Sequence, residues 1–200
     1  MSTTERRRGY FITFEGLDGS GKSTQMRLFA ERLRQAGQKV VETAEPGGTR
    51  IGGGIRSILL NPENSDLSPT AEMLLYFAAR AQNVDELLLP ALERGEIVLS
   101  DRWTDSTYAY QGHGRRLGTE VVVALDHVAC RGHDPDLTVW VDIDLDAGLR
   151  RARSRNVETG AAAESRMDEQ EYDFYARVRE GYLELERLHP ERVRRVDGSG

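Results

Sequence analysis

Residues 12–24 read Ile12-Thr13-Phe14-Glu15-Gly16-Leu17-Asp18-Gly19-Ser20-Gly21-Lys22-Ser23-Thr24. An apolar strand runs into G-x-x-x-x-G-K-S and then into a helix whose Met26, Phe29, Ala30 and Leu33 recur at helical spacing. Gly16, Gly19 and Gly21 admit backbone conformations that a Cβ forbids, so successive N–H groups can converge on phosphate oxygens at the helix N-terminus. Lys22 adds a point charge for the outer phosphates, and Ser23 offers a hydroxyl to Mg²⁺. The loop from Gly16, Leu17, Asp18, Gly19, Ser20 and Gly21 through Lys22, Ser23 and Thr24 is therefore the expected cradle for the phosphates of a nucleoside triphosphate such as ATP.

Outward from this loop, strands and helices alternate. Strands are expected over 10–14, 39–43, 97–99, 137–143 and 192–196, and helices over 22–35, from the Glu45-Pro46-Gly47-Gly48-Thr49 loop to about 60, from 69 with a continuation or restart near 83 to 94, over 119–130, from 146 to 153 and over 168–188. Such alternation builds an α/β, doubly wound, parallel five-stranded sheet flanked by helices, whose ligands bind at the carboxyl ends of the strands. Residues 1–9 read as a polar tail and 10–200 as a single domain. The polar, Ala- and Gly-rich stretch within about 150–167 reads as a mobile lid.

The 200 residues, 38% hydrophobic and 30% charged, suffice for one domain with a full core. No apolar run approaches the roughly 20 residues of a membrane span, and residues 1–8 lack the apolar segment of a signal peptide, so a cytoplasmic location is expected. The single cysteine, Cys130, excludes an internal disulfide and a cysteine metal cluster. A net charge of −6 argues against nonspecific nucleic-acid binding. Of 27 basic residues only Lys22 and Lys39 are lysines, so arginine richness alone carries little meaning here.

Asp101 follows a buried strand, where an enzyme of this loop type needs a carboxylate to hold Mg²⁺ or its water shell. Asp18, inside the loop, can stand close to the phosphates. Tyr76 and Arg80 are one helical turn apart and share a face, so the ring can stack on a base while the guanidinium holds a phosphate or a base edge. Arg102 to Gly112 adds Thr107, Tyr110 and Gln111, the last carrying both donor and acceptor for a pyrimidine edge.

FEGLDGSGKSTQ, EPGGT, AEMLLYFAARAQ, SDRWTDSTYAYQG and RMDEQEYDFYARVREGYLELE together resemble the bacterial thymidylate kinases in order and spacing, from about residue 10 to 197. The resemblance implies a P-loop kinase that transfers the γ-phosphoryl group of ATP to dTMP in line, with Mg²⁺. Tyr76 takes the place of a base-stacking aromatic that is usually Phe. Arg80, Thr107 and Gln111 match contacts to the thymine edge, Arg56 and Arg102 match arginines on the monophosphate, and Tyr110 lies where an aromatic crowds the 2′ position of the sugar. Lys22, Asp18, Arg102 and a lid arginine would serve catalysis, and Ser23 and Asp101 the metal. Because Gly19 stands where some members keep a loop arginine, the cation would come from the lid, among Arg151, Arg153, Arg155 and Arg166, with Arg166 the best match to the motif. Ala44 replaces a frequent arginine, the lid is longer than usual, and the family's C-terminal helix is expected to be absent. A homodimer is implied, through faces near 73–79 and 121–128. The competing readings are another P-loop nucleotide kinase, a GTPase-like switch, which lacks here its Asn-Lys-x-Asp guanine reader, and a nucleotide-binding module without activity.

Overall fold

Segments of five or six residues are long enough to cross a domain as strands and too short for helices, and five of them pair here in parallel. In the computed structural model, which describes residues 8–159, 166–167 and 170–199, these are β1 (Phe11–Glu15), β2 (Val40–Ala44), β3 (Ile97–Asp101), β4 (Leu137–Asp142) and β5 (Val193–Asp197). Their order is β2-β3-β1-β4-β5, all parallel. Phe14 of β1 pairs with Asp101 of β3, so the phosphate loop and the Asp101-Arg102 corner leave the sheet side by side.

Alternation along β1 sorts its residues to two faces. Ile12 and Phe14 join Met26, Ala30 and Leu99 in a small core beneath α1 (Lys22–Gln35). Phe11 points the other way into the larger core with Trp103, Trp140 and Tyr182. That core is closed by α3 (Pro69–Asn83), α6 (Thr119–Cys130) and α8 (Tyr172–Leu188). Helix starts follow their caps: Thr49 accepts from Gly52 N at the start of α2 (Arg50–Leu60), and Ser68 accepts from Ala71 N ahead of Pro69 in α3.

Three details depart from the sequence reading. The helix expected from 69 to 94 is α3, a π turn over Val84–Leu88 and α4 (Leu89–Glu93). Pro90 lacks an N–H and crowds the carbonyl four residues back, which the wider turn relieves, and Leu89 N reaches Val84 O instead. After α5 (Thr104–Thr107) a second π segment spans Tyr108–Gly114, a stretch to which the sequence reading assigns no element. Helix α7 (Leu145–Thr159) runs six residues beyond its expected end at 153, into the segment read as lid. The lid's remaining residues up to 165, the start of the helix expected at 168 and the side chains of Arg153 and Arg155 lie outside the description.

Candidate active site

At the head of α1, Gly16, Gly19 and Gly21 take φ of 137°, 78° and 88°, values that favour glycine and turn the loop around the helix start. Lys22 is only 5% exposed, with Nζ 3.6 Å from Asp18 and 3.9 Å from Asp101. Ser23 donates to Asp101 Oδ2. A hydroxyl, two carboxylates and an ammonium thus gather at the carboxyl ends of β1 and β3. The oxygen donors Ser23 and Asp101 fit a hard divalent cation such as Mg²⁺.

Arg102 sits at the same corner with φ 73°, an uncommon backbone for arginine. Its guanidinium is fixed from several sides, donating to Gly16 O, Ser106 Oγ and Asp18 Oδ1, each at 3.0 Å, and lying 4.9 Å above the Tyr110 ring. Burial alone would lower its pKa, but the charge of Asp18 and its neighbours raises it well above the ordinary value, so the cation is permanent. Arg56 of α2 donates to Pro46 O at 3.0 Å, in the Glu45-Pro46-Gly47-Gly48 loop, whose Glu45–Pro46 bond is cis.

A second group of polar side chains, from α3, α5 and the second π segment, adjoins this corner. Arg80 is 1% exposed and gives Nε to Glu45 (2.5 Å) and Nη2 to Thr107 Oγ1 (3.0 Å), while its Nη1 is buried with no partner among the described residues. Burial pushes Glu45 up to about 7, against the opposing charge of Arg80. Gln111 lies one turn beyond Thr107 and donates Nε2 to Glu72 at 2.8 Å. Burial pushes the Tyr76 phenol up to about 12, with Glu72 adding to it, while Arg102, Arg166 and Asp18 also bear on it. The Tyr76 phenol is therefore uncharged at neutral pH.

The thymidylate kinase family model matches residues 14–200. The chain belongs to the thymidylate kinase family. It is similar to the thymidylate kinase of Pelobacter propionicus, 52% identical over 192 residues that make up 96% of this chain and 88% of the relative. The thymidylate kinase of Geobacter sulfurreducens is 47% identical over 191 residues, 96% of this chain and 90% of that one. Among solved structures, the thymidylate kinase of Ehrlichia chaffeensis superposes with a TM-score of 0.76 at 31% identity, covering 95% of this chain and 91% of the other.

Within this thymidylate kinase, Asp18, Lys22, Ser23, Asp101, Arg102 and Tyr110 meet at one corner, and Arg80 and Thr107 meet beside it. Of the lid arginines, the side chains of Arg151 and Arg166 are described, and they have different partners. Arg151 donates to Gly198 O at 3.1 Å and to Ser199 O at 3.4 Å. Arg166, the motif's candidate for the lid cation, is 5% exposed and bound to Leu59 O (2.5 Å) and Glu72 Oε2 (2.7 Å). The reason is electrostatic: Glu72 is fully buried and draws the cations within reach. Among the described residues, five buried carboxylates were given no role in the sequence reading: Glu15, Glu45, Glu72, Asp105 and Asp142. A signal existed for Glu72, an acid within the otherwise apolar run Glu72-Met73-Leu74-Leu75, and for Glu15, an acid closing an apolar strand.

Proposed function

We propose that the chain phosphorylates dTMP to dTDP with ATP, supplying dTTP for DNA synthesis, by in-line transfer of the γ-phosphoryl group. The observation that carries this is the junction of a phosphate loop with a buried polar cluster, Arg80 with Thr107 and Gln111 with Glu72, beside one fixed cation, Arg102, whose guanidinium binds Asp18 of the loop at 3.0 Å. Lys22 neutralises charge on the outer phosphates, Arg102 and Arg56 receive the monophosphate, and Tyr76, Arg80, Thr107 and Gln111 hold the base. Tyr110, packed under Arg102, crowds the sugar. Ser23 and Asp101 would hold Mg²⁺, which would supply further charge neutralisation.

A lid arginine completes the cation set. Arg166 is the motif's own candidate, but its ties to Glu72 and Leu59 favour a share of that role for Arg151, Arg153 or Arg155, which alanine variants would apportion through kcat. The protein acts in the cytoplasm as a homodimer; no helix among the described residues is long and apolar enough to cross a membrane.

Coupled turnover with ATP and dTMP, dUMP, UMP, CMP and dGMP tests the reading. dTMP should be turned over with the highest kcat/KM, and only with Mg²⁺. Preference for another acceptor would favour a different nucleotide kinase, and no turnover at all a binding module. Gln111→Ala and Tyr76→Ala should raise the KM for dTMP while leaving that for ATP nearly unchanged.

A further inference from the structure

Glu72, in the first turn of α3, is fully buried and satisfied by three side chains. Its Oε1 accepts from Gln111 Nε2 (2.8 Å) and Arg115 Nε (3.1 Å), and its Oε2 from Arg115 Nη2 (3.0 Å) and Arg166 Nη2 (2.7 Å). Burial alone would raise its pKa, but the hydrogen bonds and charge of Arg115, followed by the bonds from Gln111 and Arg166, hold it below the usual carboxylate value. An ionised carboxylate has no proton to give. Whichever way an amide might otherwise turn, the NH₂ of Gln111 must face Glu72 and its carbonyl must face away.

That orientation matters because of what stands beside it. Among the described residues nothing donates to Gln111 Oε1. Arg80 Nη1 is buried without a partner, and its neighbour Nη2 is bound to Thr107, one turn from Gln111. The pocket wall therefore offers one donor, from Arg80, and one acceptor, from Gln111. Thymine and uracil present the complement, a C4 carbonyl next to an N3–H. Cytosine presents the reverse, an amino group next to a bare N3, and would leave two buried groups facing their own kind.

We propose that Glu72 is the positioning residue that locks the Gln111 amide with its oxygen toward the base, and so sets the preference for a pyrimidine carrying N3–H beside a C4 carbonyl over the cytosine pattern. Arg115 and Arg166 keep the carboxylate ionised and in place; they do not touch the amide. The proposal rests on the reading of this pocket as the acceptor-base site, and deepens it.

The test is the ratio of kcat/KM for dTMP to that for dCMP in wild type, Glu72→Gln and Arg115→Ala. A glutamine at 72 can donate or accept, so the Gln111 amide loses its single orientation. Glu72→Gln should lower kcat/KM for dTMP roughly 10- to 100-fold, mainly through KM, and shrink the ratio at least tenfold with the KM for ATP unchanged. Arg115→Ala removes one cation from Glu72 but leaves the Arg166 ion pair at 2.7 Å to hold its charge and the bond to Gln111 at 2.8 Å, and should lower the melting temperature without changing the ratio. If Glu72→Gln lowers both substrates alike, or Arg115→Ala collapses the ratio as far, Glu72 is merely structural and the proposal falls. A wild type that favours neither nucleotide overturns the acceptor-site reading itself, a separable result. Should Glu72→Gln fail to fold, hydrogen exchange of the Gln111 side-chain amide in ligand-free wild type, identified by its loss in Gln111→Ala, decides: slow exchange supports the locked amide, and exchange at the solvent rate overturns it.

Discussion

Lys22 stands between Asp18 and Asp101 at 3.6 and 3.9 Å, and each carboxylate has another partner, Arg102 for the first and Ser23 for the second. Removing the ammonium therefore leaves neither acid stranded. Lys22→Met keeps the aliphatic stem in its place and should fold, while kcat falls by about 10²-fold or more, the ~2.7 kcal/mol scale of a lost contact to transition-state charge. Steady-state kinetics beside a thermal melt would check this, and retention of a tenth of the activity would contradict the phosphate-loop assignment. Residues of this kind were legible because the chemistry forces their spacing: a phosphate loop needs its glycines, lysine and serine within eight positions. Glu72 was not. Its partners lie 39, 43 and 94 positions away, and a lone acid on an apolar helix says nothing of what will surround it. Arg166 is the converse case, a motif match whose side chain is bound to a buried carboxylate that no local pattern announces.

Between elements, two contacts fix the segment from Trp103 to Gly114. Gly181 of α8 packs on the second π segment so closely that an added Cβ would meet Ala109 Cα at 2.9 Å and His113 Cδ2 at 3.0 Å. Backbone cannot step aside as a flexible side chain can. Gly181→Ala should lower stability by ~1–3 kcal/mol and raise the KM for dTMP, since Thr107 to Gln111 would shift; an unchanged melting temperature would show that the helix accommodates the methyl. Glu15, at the end of β1, is the second contact, accepting from Trp103 N at 2.7 Å, from Ser106 and from Tyr182 of α8 at 3.1 Å. Burial first, then the charge of Asp105, pushes its pKa up to about 8 from an ordinary 4.5, despite the hydrogen bonds of Ser106 and Tyr182 and the charge of Arg102. Between those values the folded chain holds a proton that the unfolded chain has released. The stabilisation is thus complete below 4.5 and lost as pH rises through 8. Denaturant unfolding at pH 6 and 8 should find that Glu15→Gln loses less stability over that interval than wild type, by up to ~1.4 kcal/mol per pH unit. Parallel losses in the two proteins would mean that Glu15 does not titrate there. The strands and the capped helix starts were readable from apolar runs, Thr49 and Ser68-Pro69. The π turns were not, because they answer to Pro90 and to packing against α8 rather than to periodicity.

At the scale of the molecule, the faces expected to bind a second copy divide into two. On α3, Met73 and Phe77 turn into the core while Leu74 remains 49% exposed; on α6, Val122 is buried while Val123 and Val128 are 59% and 73% exposed. Ile58 of α2 is 46% exposed as well. Periodicity could not separate these roles, since both a core and an interface ask for apolar residues on a helix, and only the packing of α3 against α2 and α6 decides which side each one takes. Large apolar side chains left in water on three associated helices are the expected mark of a self-complementary interface. Each such side chain buried would contribute ~1.5–3 kcal/mol to association, and a carboxylate in its place would oppose it. Light scattering at tens of micromolar should therefore report a dimer for wild type and a monomer for Val128→Asp or Leu74→Asp. Both substitutions fall at exposed sites, so melting temperatures extrapolated to dilute protein should scarcely change. A wild type that is monomeric at that concentration, or variants that both remain dimeric, would remove this helical face as the interface.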